Sequence, residues 1–145
     1  MIDFKDYIED VQDFPKEGIL YRDIQPLLED EEVFYDAIYA MGEFLDKEEV
    51  DYFVGIESRG FIFAAALAAI NLKPFKMIRK EGKLPDRNHV LHAIEYDLEY
   101  GSAVIEIHSD AVKSGQKVLI HDDLLATGGS ADAAAELIHK CGVQR

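Results

Sequence analysis

The chain has 145 residues, 48% of them hydrophobic and 30% charged, with a formal net charge of −14, which is the composition of an ordinary globular domain able to bury one sizeable core. The acidic balance excludes nucleic acid as the main partner, because a duplex-binding surface needs clustered Lys and Arg. A single cysteine, Cys141, excludes an internal disulfide and points to the cytoplasm, and the acidic opening MIDFKDYIEDVQDF is unlike a signal or transit peptide.

Phe4, Tyr7, Ile8 and Val11 fall at helical spacing, which predicts a helix ending before Pro15. The stretch DFPKEGILYRDIQPLL, with Pro15, Gly18 and Pro26, reads as loop. Val33, Phe34, Ala37, Ile38, Met41, Phe44 and Leu45 form one face of a second helix. YFVGI (52–56) is a short buried strand, followed by ESRG and a helix from Phe61 to about Asn71. That helix holds the longest apolar run, GFIFAAALAAI, well short of the roughly 20 residues that cross a bilayer. FKMIR (75–79) is the next strand, and AIEYDLEYGSAVIEIH (93–108) a hairpin turning near Gly101 and Ser102. Ser109 is placed to cap a short helix ending at Gly115, and KVLIH (117–121) is another buried strand. Ser130 is an N-cap candidate for a helix from Ala131 to Lys140, with Gly142 as its C′ residue. No repeat or linker divides the chain, so the expected organisation is one domain over residues 1–145. Alternating strands and helices with continuous apolar strands predict the α/β class, a parallel sheet with helices on both faces.

The charges are uneven. Residues 1–51 carry 17 acidic and 4 basic side chains, whereas residues 73–87, KPFKMIRKEGKLPDR, hold six of the 15 basic residues against Glu81 and Asp86. With Gly82 and Pro85 inside it, this stretch reads as a mobile basic segment on an acidic protein, suited to a small polyanion.

Residues 117–132, KVLIHDDLLATGGSAD, are the most informative stretch. Ligands of open α/β sheets bind beyond the carboxyl ends of the strands, and Asp122 and Asp123 stand at such an end. ATGGS then supplies a turn whose backbone N–H groups, with the positive end of the following helix, make an anion site. Gly128 and Gly129 permit close backbone approach, and the Thr127 and Ser130 hydroxyls add donors. Carboxylates this close to a phosphate cradle serve best by accepting hydrogen bonds from sugar hydroxyls or by working through a divalent cation. Together these features describe a grip on ribose 5-phosphate. An ordinary strand–turn–helix capped by Ser130 accounts for Ser130 and one glycine but not for the paired aspartates.

This stretch resembles the 5-phosphoribosyl-1-pyrophosphate motif of the type I phosphoribosyltransferases. DFPKEGILYRDIQPLL, VGIESRGFIFAAALA, IRKEGKLP, YDLEYGSAVIEIH and GQKVLIHDDLLATGGS are similar to the adenine-using members of that family, in the same order and over nearly the whole chain. The resemblance implies transfer of the 5-phosphoribosyl group to N9 of adenine, giving AMP and pyrophosphate, with magnesium, in a cytoplasmic homodimer. It implies a hood over about residues 13–28, a flexible loop and flap over about 80–108, and the phosphoribosyl pyrophosphate motif at 117–130.

The same resemblance suggests roles for single residues. Asp122, Asp123, Ala126, Thr127, Gly128, Gly129 and Ser130 would hold the ribose and its 5-phosphate, with Asp122 or Asp123 also touching magnesium. Glu57, Ser58 and Arg59 would form the pyrophosphate loop, Arg59 forking onto the diphosphate, and Arg79, Lys80 and Lys83 would neutralise it, some of them across the dimer interface. Tyr21 would stack on one face of adenine and Leu124 on the other, while backbone groups around Leu20 and Arg22 read the purine edge. Glu99 and Tyr100 on the flap would close over the ligands, Glu99 managing a proton near N7. Cleaving the C1′–oxygen bond builds positive charge on ribose and negative charge on departing pyrophosphate, so these groups must stabilise a leaving group and exclude water.

Three features depart from the family pattern. Glu17 stands where proline is common, DRNHVLHAIE makes a longer flap, and the chain stops at CGVQR where the family continues into another core strand. His89 and His92 have no metal-like spacing, His121 reads as a satisfied core histidine, and Cys141 as inert. Two other functions fit less well. A sister enzyme for xanthine, hypoxanthine or guanine differs mainly in the hood, and a non-catalytic regulator would need a basic nucleic-acid-reading segment.

Overall fold

A computed structural model describes residues 2–45, 49–86, 90–98 and 101–143. The chain forms two compact units, residues 1–46 and 47–145.

The N-terminal unit departs from the sequence expectation at its start. Phe4–Tyr7 make only a 3-10 turn capped by Asp3, and Glu9–Gln12 (β1) pair antiparallel with Leu20–Asp23 (β2), Val11 opposite Tyr21. The helical spacing of Phe4, Tyr7, Ile8 and Val11 is overridden because β1 finds a partner strand in the segment expected as loop. Gln25–Glu29 (α1) and Glu31–Glu43 (α2) follow. Asp30 caps α2 by accepting from Glu32 N and Val33 N, and Leu27, Val33 and Ala37 bury the apolar faces.

The second unit is built on a five-stranded sheet. Tyr52–Ile56 (β3) is parallel to Phe75–Lys80 (β4) on one side and to Val118–His121 (β7) on the other. Leu91–Asp97 (β5) and Ser102–His108 (β6) form the expected hairpin, turning through Gly101 at φ +92°. The hairpin joins the sheet through β6, antiparallel to β4, so the order is β5-β6-β4-β3-β7 and the sheet is mixed rather than wholly parallel. The α/β class and the helix-covered faces hold. Gly60–Ile70 (α3) buries Phe63, Ala64 and Leu67 and Gly129–Lys140 (α4) buries Ala134, Leu137 and Ile138 against Val54, Ile56, Ile78, Ile105 and Ile107. Leu137 is fully buried, and its truncation to Ala would cost about 2–5 kcal/mol. Residues 109–115 contain no helix; they are a chain of turns ending at Gly115, φ +83°.

Candidate functional site

Three of the site's segments meet where β3, β4 and β7 end. Parallel neighbours finish at one edge, so the residues after them converge there although they are distant in sequence.

The first is ESRG. Glu57 N donates to Ile78 O at 3.0 Å, extending the β3–β4 ladder one residue before the chain turns into α3. The turn is tight. A Cβ on Gly60 would lie 2.7 Å from His121 O and 3.2 Å from Asp122 Cα, so only glycine lets the start of α3 seat against the end of β7. Arg59, the residue before α3, reaches across to Asp123, Nη2 to Oδ2 at 2.8 Å. A pairing of Arg59 with Glu57 does not occur among the contacts of the Glu57 carboxylate, which is occupied elsewhere.

The second segment is the basic turn after β4. The Glu57 carboxylate, 7% exposed, accepts from Arg79 Nε at 3.1 Å, Lys80 N at 2.9 Å and Lys83 Nζ at 3.0 Å. Burial works to raise its pKa, but the Arg79, Lys80 and Lys83 hydrogen bonds and the Arg79 charge outweigh it and draw the value down to about 2. Glu57 thus holds the turn over residues 79–83, and its side chain binds cations.

The third segment is the motif after β7. Asp122 Oδ1 accepts from Asp123 N at 3.0 Å. Burial and the neighbouring Asp123 charge push the Asp122 carboxyl up to about 6, against the opposing Asp123 N–H bond and Arg59 charge. Leu124, Leu125, Ala126 and Thr127 are exposed. Helix α4 then begins two residues earlier than the sequence suggests, at Gly129 instead of Ala131. Its N-cap is Gly128 in the left-handed region, φ +87°, with no side-chain cap, and Ser130 lies inside the first turn with its Oγ 3.4 Å from Tyr96 Oη. Ser130 is displaced from capping because glycine alone adopts that φ freely. Among the described residues, the one side-chain acceptor for a backbone N–H of this helix start is Thr127 Oγ1, at a long 3.4 Å from Gly129 N, which leaves the N–H groups open to an anion.

Behind the motif, His121 departs from its expected role. Its Nδ1 is buried with no hydrogen-bond partner among the described residues, and the ring lies 5.7 Å from that of Phe63. Burial lowers its pKa against the opposing influence of Asp123 and the Gly60 backbone, so the ring is neutral at pH 7. The unpartnered Nδ1 was not legible in the sequence, because the neighbouring ring, Phe63, comes from α3. Burial and the Asp110 charge raise the Cys141 thiol pKa, which keeps it protonated and inert.

In the N-terminal unit, Leu20, Tyr21 and Arg22 lie on β2. Leu20 is exposed, Tyr21 packs edge-on against Phe14 at 5.1 Å, and Arg22 pairs with Asp10. Glu99, Tyr100 and His89 lie outside the described residues. Among the described residues no three His, Cys, Asp or Glu side chains gather as a metal cage, and no helix is long and apolar enough to cross a membrane.

Comparison with known proteins agrees with this geometry. Residues 28–145 match the phosphoribosyl transferase domain family. The chain is 50% identical over 141 residues to the adenine phosphoribosyltransferase of Christiangramia forsetii, covering 97% of this chain and 81% of that one. Among solved structures, adenine phosphoribosyltransferase from Thermoanaerobacter pseudethanolicus superposes with a TM-score of 0.90 at 43% identity, covering 97% of this chain and 80% of that one. The Saccharomyces cerevisiae enzyme, complexed with an imino-altritol bisphosphate and adenine, gives 0.89 at 38% identity, covering 97% and 81%.

Proposed function

The chain belongs to the phosphoribosyltransferase family, and from that premise we propose that it transfers the 5-phosphoribosyl group of 5-phosphoribosyl-1-pyrophosphate to N9 of adenine, releasing AMP and pyrophosphate. The observation that carries the reading is the run from Asp122 to Gly129, where two carboxylates and an uncapped helix start follow one strand, with Arg59 bound to the second carboxylate.

In this reading the open N–H groups of residues 126–130 take the 5-phosphate. Asp122 and Asp123 accept hydrogen bonds from the ribose hydroxyls and so fix C1′. Arg59 moves its guanidinium from Asp123, or shares it, to meet the diphosphate, where its planar donor set suits two phosphate oxygens. Ser58 contributes its backbone, and Arg79, Lys80 and Lys83 balance the charge of the leaving group. Leu20, Tyr21, Arg22 and Leu124 are assigned to adenine, and Glu99 and Tyr100 to the closing flap. Residues 13–28 serve as hood and 80–108 as loop and flap of a single transferase domain.

Magnesium suits this donor set. Two adjacent carboxylates can offer hard oxygens, and magnesium is commonly held by one or two of these together with substrate phosphates. When bound it supplies positive charge to the diphosphate oxygens, with Asp122 or Asp123 as the protein ligand. A cytoplasmic homodimer, in which the basic turn serves the neighbouring site, completes the proposal.

The test is incubation with phosphoribosyl pyrophosphate, magnesium and each purine in turn. Adenine should yield AMP far faster than hypoxanthine or guanine yields its nucleotide, because the hood backbone would pair with an amino donor. Preference for an oxopurine would reassign the chain to the sister activity.

A further inference from the structure

Glu57 has a job that its place in the pyrophosphate loop does not suggest. Its two oxygens divide the basic turn between them. Oε2 takes Arg79 Nε and Lys80 N, and Oε1 takes Lys83 Nζ. Arg79 Nη1 also donates to Lys83 O at 3.3 Å, which ties the two cations to each other. A second carboxylate works beside it. Glu106, 9% exposed, accepts from Gly82 N at 3.0 Å through Oε2, Gly82 having φ +75°, and Glu81 N donates to Val104 O at 3.0 Å. Two carboxylates thus hold the backbone of the turn, and one of them also aims its long side chains.

These bonds do not exhaust the cations. Among the described contacts, Arg79 uses Nε and Nη1 and keeps Nη2, and Lys83, half exposed, uses one of its three ammonium protons. Long basic side chains lose rotamer freedom when they meet a ligand. Here that loss is taken on folding, so a diphosphate meets donors already oriented. We infer that Glu57 is a positioning residue for the diphosphate, acting only through Arg79 and Lys83 and making no contact with the ligand itself. The inference rests on the proposed transfer from phosphoribosyl pyrophosphate and adds a specific dependence to it.

The experiment uses the full chain and two readouts, steady-state kinetics and calorimetric titration with inorganic pyrophosphate. Glu57→Ala should raise KM for phosphoribosyl pyrophosphate and weaken pyrophosphate binding about tenfold, the scale of one charge-assisted contact, while KM for adenine stays within about twofold. In an Arg79→Ala/Lys83→Ala background the same change should have no further effect, because nothing remains to be positioned. Glu57→Gln, which keeps the shape, carries the test if the alanine variant does not fold, and should move both readouts in the same direction by a smaller factor. An equal loss in both backgrounds would overturn the inference in favour of direct contact or mere structural support. Tighter pyrophosphate binding would overturn it in favour of Glu57 as a competitor for the cations, and unchanged binding would remove it altogether. The titration needs no turnover, so failure to make AMP from any base would sink the functional reading by a separate result.

Discussion

Arg59 and Asp123 close an ion pair at 2.8 Å between the segment after β3 and the segment after β7, with Asp123 9% exposed at its side chain. In the proposed assignment the pair joins a residue that would meet the diphosphate with one that would meet the ribose. Without ligand, the pair also keeps the Asp123 charge from being buried alone.

Replacing Arg59 with alanine should therefore have two effects. The loss of a charge-assisted bond to the diphosphate should lower kcat/KM by the equivalent of about 1.5–3 kcal/mol, and Asp123 should be left unpaired, lowering stability by about 1–3 kcal/mol. Steady-state kinetics and denaturant unfolding measure the two separately. Unchanged kinetics would reduce ESRG to a turn.

The two halves of the ribose-phosphate motif should fail differently. Asp122→Asn with Asp123→Asn should depress turnover while inorganic phosphate or sulfate still binds at residues 126–130. Gly128→Val should abolish that anion binding. Its Cβ would meet nothing within 4 Å, so the damage comes from φ +87° and not from a clash. Full activity in the double asparagine variant would defeat the assignment of the aspartates.

Gly60→Ala tests the joint between the two loops. The new methyl would press on backbone, His121 O at 2.7 Å and Asp122 Cα at 3.2 Å, and neither can swing aside. Overpacking of this kind costs about 1–3 kcal/mol, and KM for phosphoribosyl pyrophosphate should rise with the loss of stability. A variant with unchanged melting temperature and kinetics would show that the joint yields.

Acid stability should show two windows of opposite sign. Asp122 has its pKa raised from 3.8 to about 6 in the fold, so its contribution is fully present below pH 3.8 and is lost as pH rises through 6. Glu57 has its value lowered from 4.5 to about 2, so its contribution is present above pH 4.5 and is lost as pH falls through 2. Thermal unfolding across this range should show Asp122→Asn flattening the upper window and Glu57→Gln the lower. Activity should climb through pH 6 as Asp122 ionises.

Much of the second unit was legible in the sequence because its strands are continuous apolar runs bounded by glycine or charge. YFVGI is β3 residue for residue, and FKMIR and KVLIH differ from β4 and β7 by one residue at one end. The N-terminal unit was less legible. Whether Val11 belongs to a helix or a strand depends on Tyr21 opposite it, and no local spacing encodes that partner. The site divides in the same way. Asp122, Asp123 and the glycine turn are contiguous and could be read together, whereas the Arg59–Asp123 and Glu57–Arg79 pairs exist only because β7 and β4 flank β3. The capping role expected of Ser130 passed to Gly128 because a helix start depends on backbone φ as well as on side-chain chemistry.

The meeting of Ser130 with Tyr96 has an optical consequence. The chain contains seven tyrosines and no tryptophan, so its ultraviolet emission is tyrosine emission, with no indole to drain it by energy transfer. One of those phenols, Tyr96, stands 3.4 Å from the Ser130 hydroxyl in the first turn of α4, where the proposed function seats the 5-phosphate. Phosphate bound there would change the polarity and hydrogen bonding around Tyr96. On the proposed function the unlabelled protein would carry its own reporter of 5-phosphate occupancy, and replacing Tyr96 with phenylalanine would identify the part of the signal that comes from Tyr96.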